Sequence, residues 1–121
     1  MKSDLNPELH DAEQFIYQQQ HISEKEYKFL KELEHVLGEC IPCLNEIQWG
    51  DMHYHSFGFV VKDDHIMGLG LTMKLIREIP KSISSLTHLE ILTIDKCVNL
   101  HSLPESIIYL KNLKYFQFDI S

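Results

Sequence analysis

The sequence predicts an α+β chain. An N-terminal helical cap leads to a β-hairpin and then to a short solenoid of repeated turns whose strands form a parallel sheet. Three observations carry this. From Ile66 one apolar pattern comes round twice and begins a third time. Two earlier segments, 6–20 and 23–38, place apolar residues at helical spacing between capping residues. Between them and the repeats, Phe57, Phe59 and Val61 alternate into Asp63-Asp64, as a strand does on entering a tight turn. The expected division is 1–56 for the helical cap with its connecting segment and 57–121 for the hairpin and repeats, packed as one compact unit.

In the first predicted helix, Asn6 stands as N-cap, Pro7 at the first helical position and Glu8 beside the positive end of the dipole. Leu9, Ala12, Phe15 and Ile16 then mark one face, through about Gln20. Ser23 and Glu26 form a capping box for the second helix, with Ile22 and Tyr27 placed for a hydrophobic staple. Tyr27, Leu30, Leu33 and Leu37 continue the stripe, Phe29 and Val36 widen it, and Gly38 supplies a left-handed stop. Two such helices are suited to cover the first edge of the sheet, which would otherwise lie open. Residues 39–56 show no clean period, although Ile47 and Trp49 suit a short strand.

In the repeats, Ile66, Leu69, Leu71, Ile76, Ile79-Pro80, Ile83 and Leu86 make the first pass. Leu89, Leu92, Ile94, Leu100, Leu103-Pro104, Ile107 and Leu110 make the second, and Leu113, Phe116 and Phe118 open the third. Ile66 to Leu89 is 23 residues and Leu89 to Leu113 is 24. Period-two alternation directs Leu69 and Leu71, Leu92 and Ile94, Phe116 and Phe118 to one side of short strands. Proline, with fixed φ and no N–H, suits the bend that follows each strand. One turn cannot bury its apolar side alone, and stacked turns bury a continuous spine.

The segments Leu89-Glu90-Ile91-Leu92-Thr93-Ile94, Cys97-Val98-Asn99-Leu100 and Leu103-Pro104-Glu105-Ser106-Ile107 resemble leucine-rich repeats with LPxxI in the convex part. The stretch Phe57 to Leu71 more loosely resembles the hairpin that opens small archaeal leucine-rich-repeat proteins. The resemblance places Cys97 at the family's Asn/Cys position, where the side chain bonds loop backbone. Lys74 occupies that position in the first pass and cannot accept from loop amides, so an atypical first turn is expected. The family resemblance implies a non-catalytic function: outward side chains of the parallel sheet offer a rigid face to a protein partner. Those positions are Gly68, Gly70 and Thr72, then Ile91, Thr93 and Asp95, then Tyr115, Gln117 and Asp119. The given sequence stops at Ser121, one strand into the third pass. Phe116, Phe118 and Ile120 are therefore expected to flank an open edge beside Leu110 and Leu113. Two outcomes are expected of that edge: a homodimer formed through it, or continuation into further repeats.

Composition narrows the classes. Of 121 residues 44% are apolar, enough for a packed core. A net charge of −7 disfavours nucleic acid and anionic membrane, whose phosphates need clustered Lys and Arg. Three cysteines form no disulfide framework, the N-terminus shows no secretory h-region, and no run approaches the roughly 18 apolar residues of a membrane span. The expected setting is cytoplasmic, with no cofactor and no enzymatic activity.

The alternative function is a small zinc-binding or redox protein using Cys40, Cys43, His53 and His55. Against it, H-x-H is not the usual finger spacing, no second C-x-x-C follows, and the thiols come after a helix end where no dipole lowers their pKa. Asp51, His53 or His55, and Ser56 lie too close in sequence to converge readily as a triad. Gly68-x-Gly70 lacks the following helix of a phosphate loop, and close backbone approach explains it better. A third reading makes the chain a regulatory fragment of a longer receptor or GTPase.

Overall fold

The computed structural model describes residues 15–47 and 56–119. These form one α-helix, a two-stranded hairpin and a four-stranded mixed sheet.

The first predicted helix is corrected where it can be seen. Its start, residues 6–14, lies outside the described residues. From Ile16 the chain forms strands β1 (Ile16–Tyr17) and β2 (Gln20–His21), paired antiparallel. Gln18 and Gln19 both hold positive φ, 50° and 67°, as a two-residue hairpin turn needs. Long-range contacts of Tyr17 accompany the departure from helical spacing. Its ring is buried edge-on to Phe59, with centroids 5.7 Å apart. Its hydroxyl donates to Glu34 Oε1 at 2.7 Å and accepts from the Ile41 amide at 2.9 Å.

Helix α1 (Glu24–Leu37) begins and ends as its sequence requires. The Ser23 hydroxyl accepts from the Glu26 amide at 3.2 Å, and Glu26 Oε1 accepts from the Ser23 amide at 3.0 Å. Gly38 closes it at φ 78°, donating to the Glu34 carbonyl. Phe29, Leu30 and Leu33 are fully buried in the common core, while Val36 stays exposed.

Strands β3 (Gly58–Lys62) and β4 (His65–Thr72) form the expected antiparallel hairpin. Asp63 and Asp64 turn it with φ 54° and 65°. Strands β5 (Ile91–Asp95) and β6 (Tyr115–Asp119) follow in parallel, giving the order β3-β4-β5-β6. Gly70, Thr93 and Gln117 lie in one register line, as do Leu71, Ile94 and Phe118. Pro80 and Pro104 each precede a 3-10 helix, Lys81–Ser85 and Glu105–Tyr109. The bonds there repeat in step: Ile83 to Pro80 and Ile107 to Pro104, then Leu86 to Ile83 and Leu110 to Ile107.

The core lies between α1, the core-facing side of the sheet and the 3-10 segments. Ile66, Leu69, Leu71, Ile83, Leu86, Leu89, Leu92, Ile94 and Leu100 are completely buried. Side chains also join one pass to the next: Ser106 Oγ donates to Lys81 O at 2.9 Å and Asn112 Nδ2 to Thr87 O at 2.7 Å.

The edge of β3 is not closed by the helix, as had been expected of the cap. The Leu44 amide donates to Phe59 O at 2.7 Å and the Phe59 amide to Pro42 O at 2.9 Å, so Pro42–Leu44 supplies the pairing. An extended backbone can satisfy a sheet edge's donors and acceptors directly, whereas a helix has already used its own. Ile47 is buried outside any strand, and Trp49 falls outside the described residues.

Candidate interaction surface

The sheet's outer side differs from the open face expected of it. Gly68 and Gly70 leave a trough, and the connecting segment uses it. A Cβ on Gly68 would lie 2.8 Å from Ile47 Cγ1, and one on Gly70 would lie 2.8 Å from the Ser56 carbonyl oxygen. Thr72 Oγ1 donates to that same carbonyl at 2.7 Å. On β5, Thr93 and Asp95 are only 3% and 6% exposed, so neither offers contact area, and Ile91 is half-buried. Asp95, Tyr115, Gln117 and Asp119 each have a partner within the chain. The open-face expectation is therefore corrected for β5. Ile47 and Ser56, the described residues that meet β4 on this side, belong to a stretch whose sequence has no period to read.

Exposure appears instead at the last strand of the sheet. Leu69 and Leu71 on β4 and Leu92 and Ile94 on β5 are fully buried, yet their register partners Phe116 and Phe118 are 49% and 37% exposed. Ile108, Tyr109 and Tyr115 are exposed near the same end. Among the described residues no strand pairs with the outer edge of β6. Ile120, the third residue expected at that edge, lies outside the described residues.

The thiols divide by environment. Cys97 is fully buried, and its Sγ donates to Leu71 O at 3.6 Å and Asp95 O at 3.8 Å, the loop-bonding geometry expected of it. Burial pushes its pKa up, as it does for half-buried Cys43. Cys40 is exposed, and His53, His55 and Asp51 lie outside the described residues. Ser56 is buried, with its carbonyl bound by Thr72. Lys74 leaves the first turn, reaching Glu39 Oε2 at 2.9 Å and sitting 3.8 Å over the Phe57 ring.

One constellation went unread in the sequence. Glu26 is only 1% exposed; its Oε2 accepts from the Ile66 amide at 2.8 Å, and its Oε1 lies 3.2 Å from His65 Nδ1. The ring of His65 stacks on that of His88 at 3.6 Å and 8°. The signal was available, since each histidine directly precedes the first apolar residue of its pass, Ile66 or Leu89. The parallel β4–β5 register, which pairs Gly68 with Ile91, places them side by side when continued three residues back.

No family model, curated protein or solved structure matches this chain. Among the described residues no helix is long and apolar enough to cross a membrane.

Proposed function

We propose that this chain is a non-catalytic protein-interaction module of leucine-rich-repeat type. Its contact region is the β6 end of the stack, with the outer face of β6 at its margin. The supporting observation is the exposure of Phe116 and Phe118 at positions whose partners one strand earlier are sealed. Fully burying an apolar side chain of this size is worth about 1.5–3 kcal/mol, so two half-open phenylalanines leave a substantial association energy unrealised. Among the described residues no strand lies beyond β6, and a partner strand would use the backbone donors and acceptors on that side as well.

The occupant we favour is a second copy of the chain. Closed two-fold symmetry would then pair β6 with its equivalent antiparallel, burying both sets of phenylalanines at one interface. Light scattering on size-exclusion fractions should show a dimer that dissociates on dilution. Phe118→Asp should give monomer with an unchanged far-ultraviolet circular dichroism spectrum. A wild-type chain that stays monomeric at high concentration removes self-association from the reading. The broader reading then rests on a pull-down in which Phe118→Asp loses a partner that wild type retains.

A further inference from the structure

We propose that Glu26, His65 and His88 form a binding site for a divalent transition-metal ion of the zinc class. It is independent of the protein-interaction reading and lies at the N-terminal ends of β4 and β5, beside the start of α1.

Two of the three donor atoms already stand at ligand spacing, with the third close by. One ligand atom from each of the three residues lies within 4.8 Å of the others. Zinc bonds to nitrogen and oxygen are about 2.0–2.1 Å, so neighbouring ligands in a tetrahedral site stand about 3.3–3.4 Å apart. Glu26 Oε1 and His65 Nδ1 are 3.2 Å apart, so an ion can sit between them with little change in either. His65 then binds as its Nε2–H tautomer, with the Nδ1 lone pair toward the ion.

Glu26 is held as a ligand needs to be. The Ser23 and Ile66 amides fix its two oxygens, at 3.0 and 2.8 Å, and its burial denies it competing water. Supports of this kind orient a first ligand and sustain affinity. His88 must do the moving. Two stacked rings cannot both direct an in-plane lone pair at one ion between them. His88 is exposed and is otherwise bonded only to Thr87 Oγ1, at 3.3 Å, among the contacts of its described surroundings, so its ring is free to turn inward. Two imidazoles and one carboxylate leave the fourth position to water. Nitrogen-rich ligands of this type select zinc, nickel or copper over magnesium and calcium, which prefer all-oxygen sites. A bound ion would tie together the first turn of α1, the start of β4 and the residues leading into β5.

The test is zinc titration by calorimetry on the full chain after chelator treatment, with thermal unfolding in parallel. Wild type should bind one ion per chain and unfold at a higher temperature with zinc, and excess magnesium should not compete. His88→Ala leaves an exposed position, so the fold should survive. It should weaken binding at least tenfold and abolish the thermal shift; His65→Gln should do the same. The double variant Cys40→Ser/Cys43→Ser should bind as wild type does. Addition of cobalt(II) should broaden the ring resonances of His65 and His88 selectively. Absence of binding, unchanged affinity in His88→Ala and His65→Gln, equal competition by magnesium, or loss of binding in the cysteine variant would each overturn the assignment.

Discussion

Thr93 carries an unusual cost for a residue on the outer side of a sheet. Its hydroxyl is buried without a hydrogen-bond partner among the described residues. An unsatisfied buried hydroxyl costs about 1–3 kcal/mol, and valine has nearly the same shape without the polar atom. Thr93→Val should therefore stabilise the chain by about 1 kcal/mol in urea unfolding, and a loss of stability would show an unrecognised partner for the hydroxyl. Tyr17 gives a second, pH-dependent expectation. Burial, followed by the neighbouring Glu34, raises its phenol above the ordinary 10.0, although the Ile41 amide pulls the other way. A raised folded-state pKa means the fold prefers the neutral phenol. That stabilisation is complete below pH 10 and is lost as pH climbs from there toward the folded-state value. Cys43 and Cys97, raised by burial from 9.0, act in the same direction from about pH 9. The urea midpoint should thus fall above about pH 9, and less steeply in Tyr17→Phe; a midpoint rising across that range would refute the sign.

Among the elements, β4 shows how a strand can be shaped for what packs on it. Leu69 and Leu71 face the core, whereas Gly68 and Gly70 face the connecting segment. Gly68→Ala would set a methyl 2.8 Å from Ile47 Cγ1, a side chain that is itself buried. Overpacking of this kind costs about 1–3 kcal/mol. Chemical unfolding should register that loss, and much of it should disappear in an Ile47→Ala background, because the clash requires both groups. Additive effects would indicate that the segment moves aside freely. Helix α1 and the β3-β4 hairpin are the elements most readable from residues alone, since capping box, left-handed stop and aspartate turn are local chemistry. The region around Gln18 and Gln19 is the opposite case. Its apolar spacing fits a helix, yet Tyr17 is buried through contacts with Glu34, Ile41 and Phe59, far along the chain.

For the whole molecule, β4 and β5 are equally sealed and the sheet opens only at β6. Local opening free energy follows buried apolar contact, so the amides of β6 should exchange with deuterium earlier than those of β5. Equal protection in dilute solution, where the proposed dimer would be dissociated, would mean that β6 is stabilised by something other than its packing on β5. The proposed association thus lies at the β6 edge of the sheet and the proposed metal site where α1 meets the N-terminal ends of β4 and β5.

Periodicity in the sequence determined the mixed α and β content, the parallel register of Gly70, Thr93 and Gln117, and the burial of the leucines around them. Those features arise from side-chain spacing, which a linear chain displays openly. Only the tertiary structure decided which side of the sheet stays accessible, what closes the β3 edge, and that Glu26 meets two stacked imidazoles. These depend on where Ile47 and Ser56 come to rest against β4 and on contacts between residues tens of positions apart, and no local pattern records such meetings.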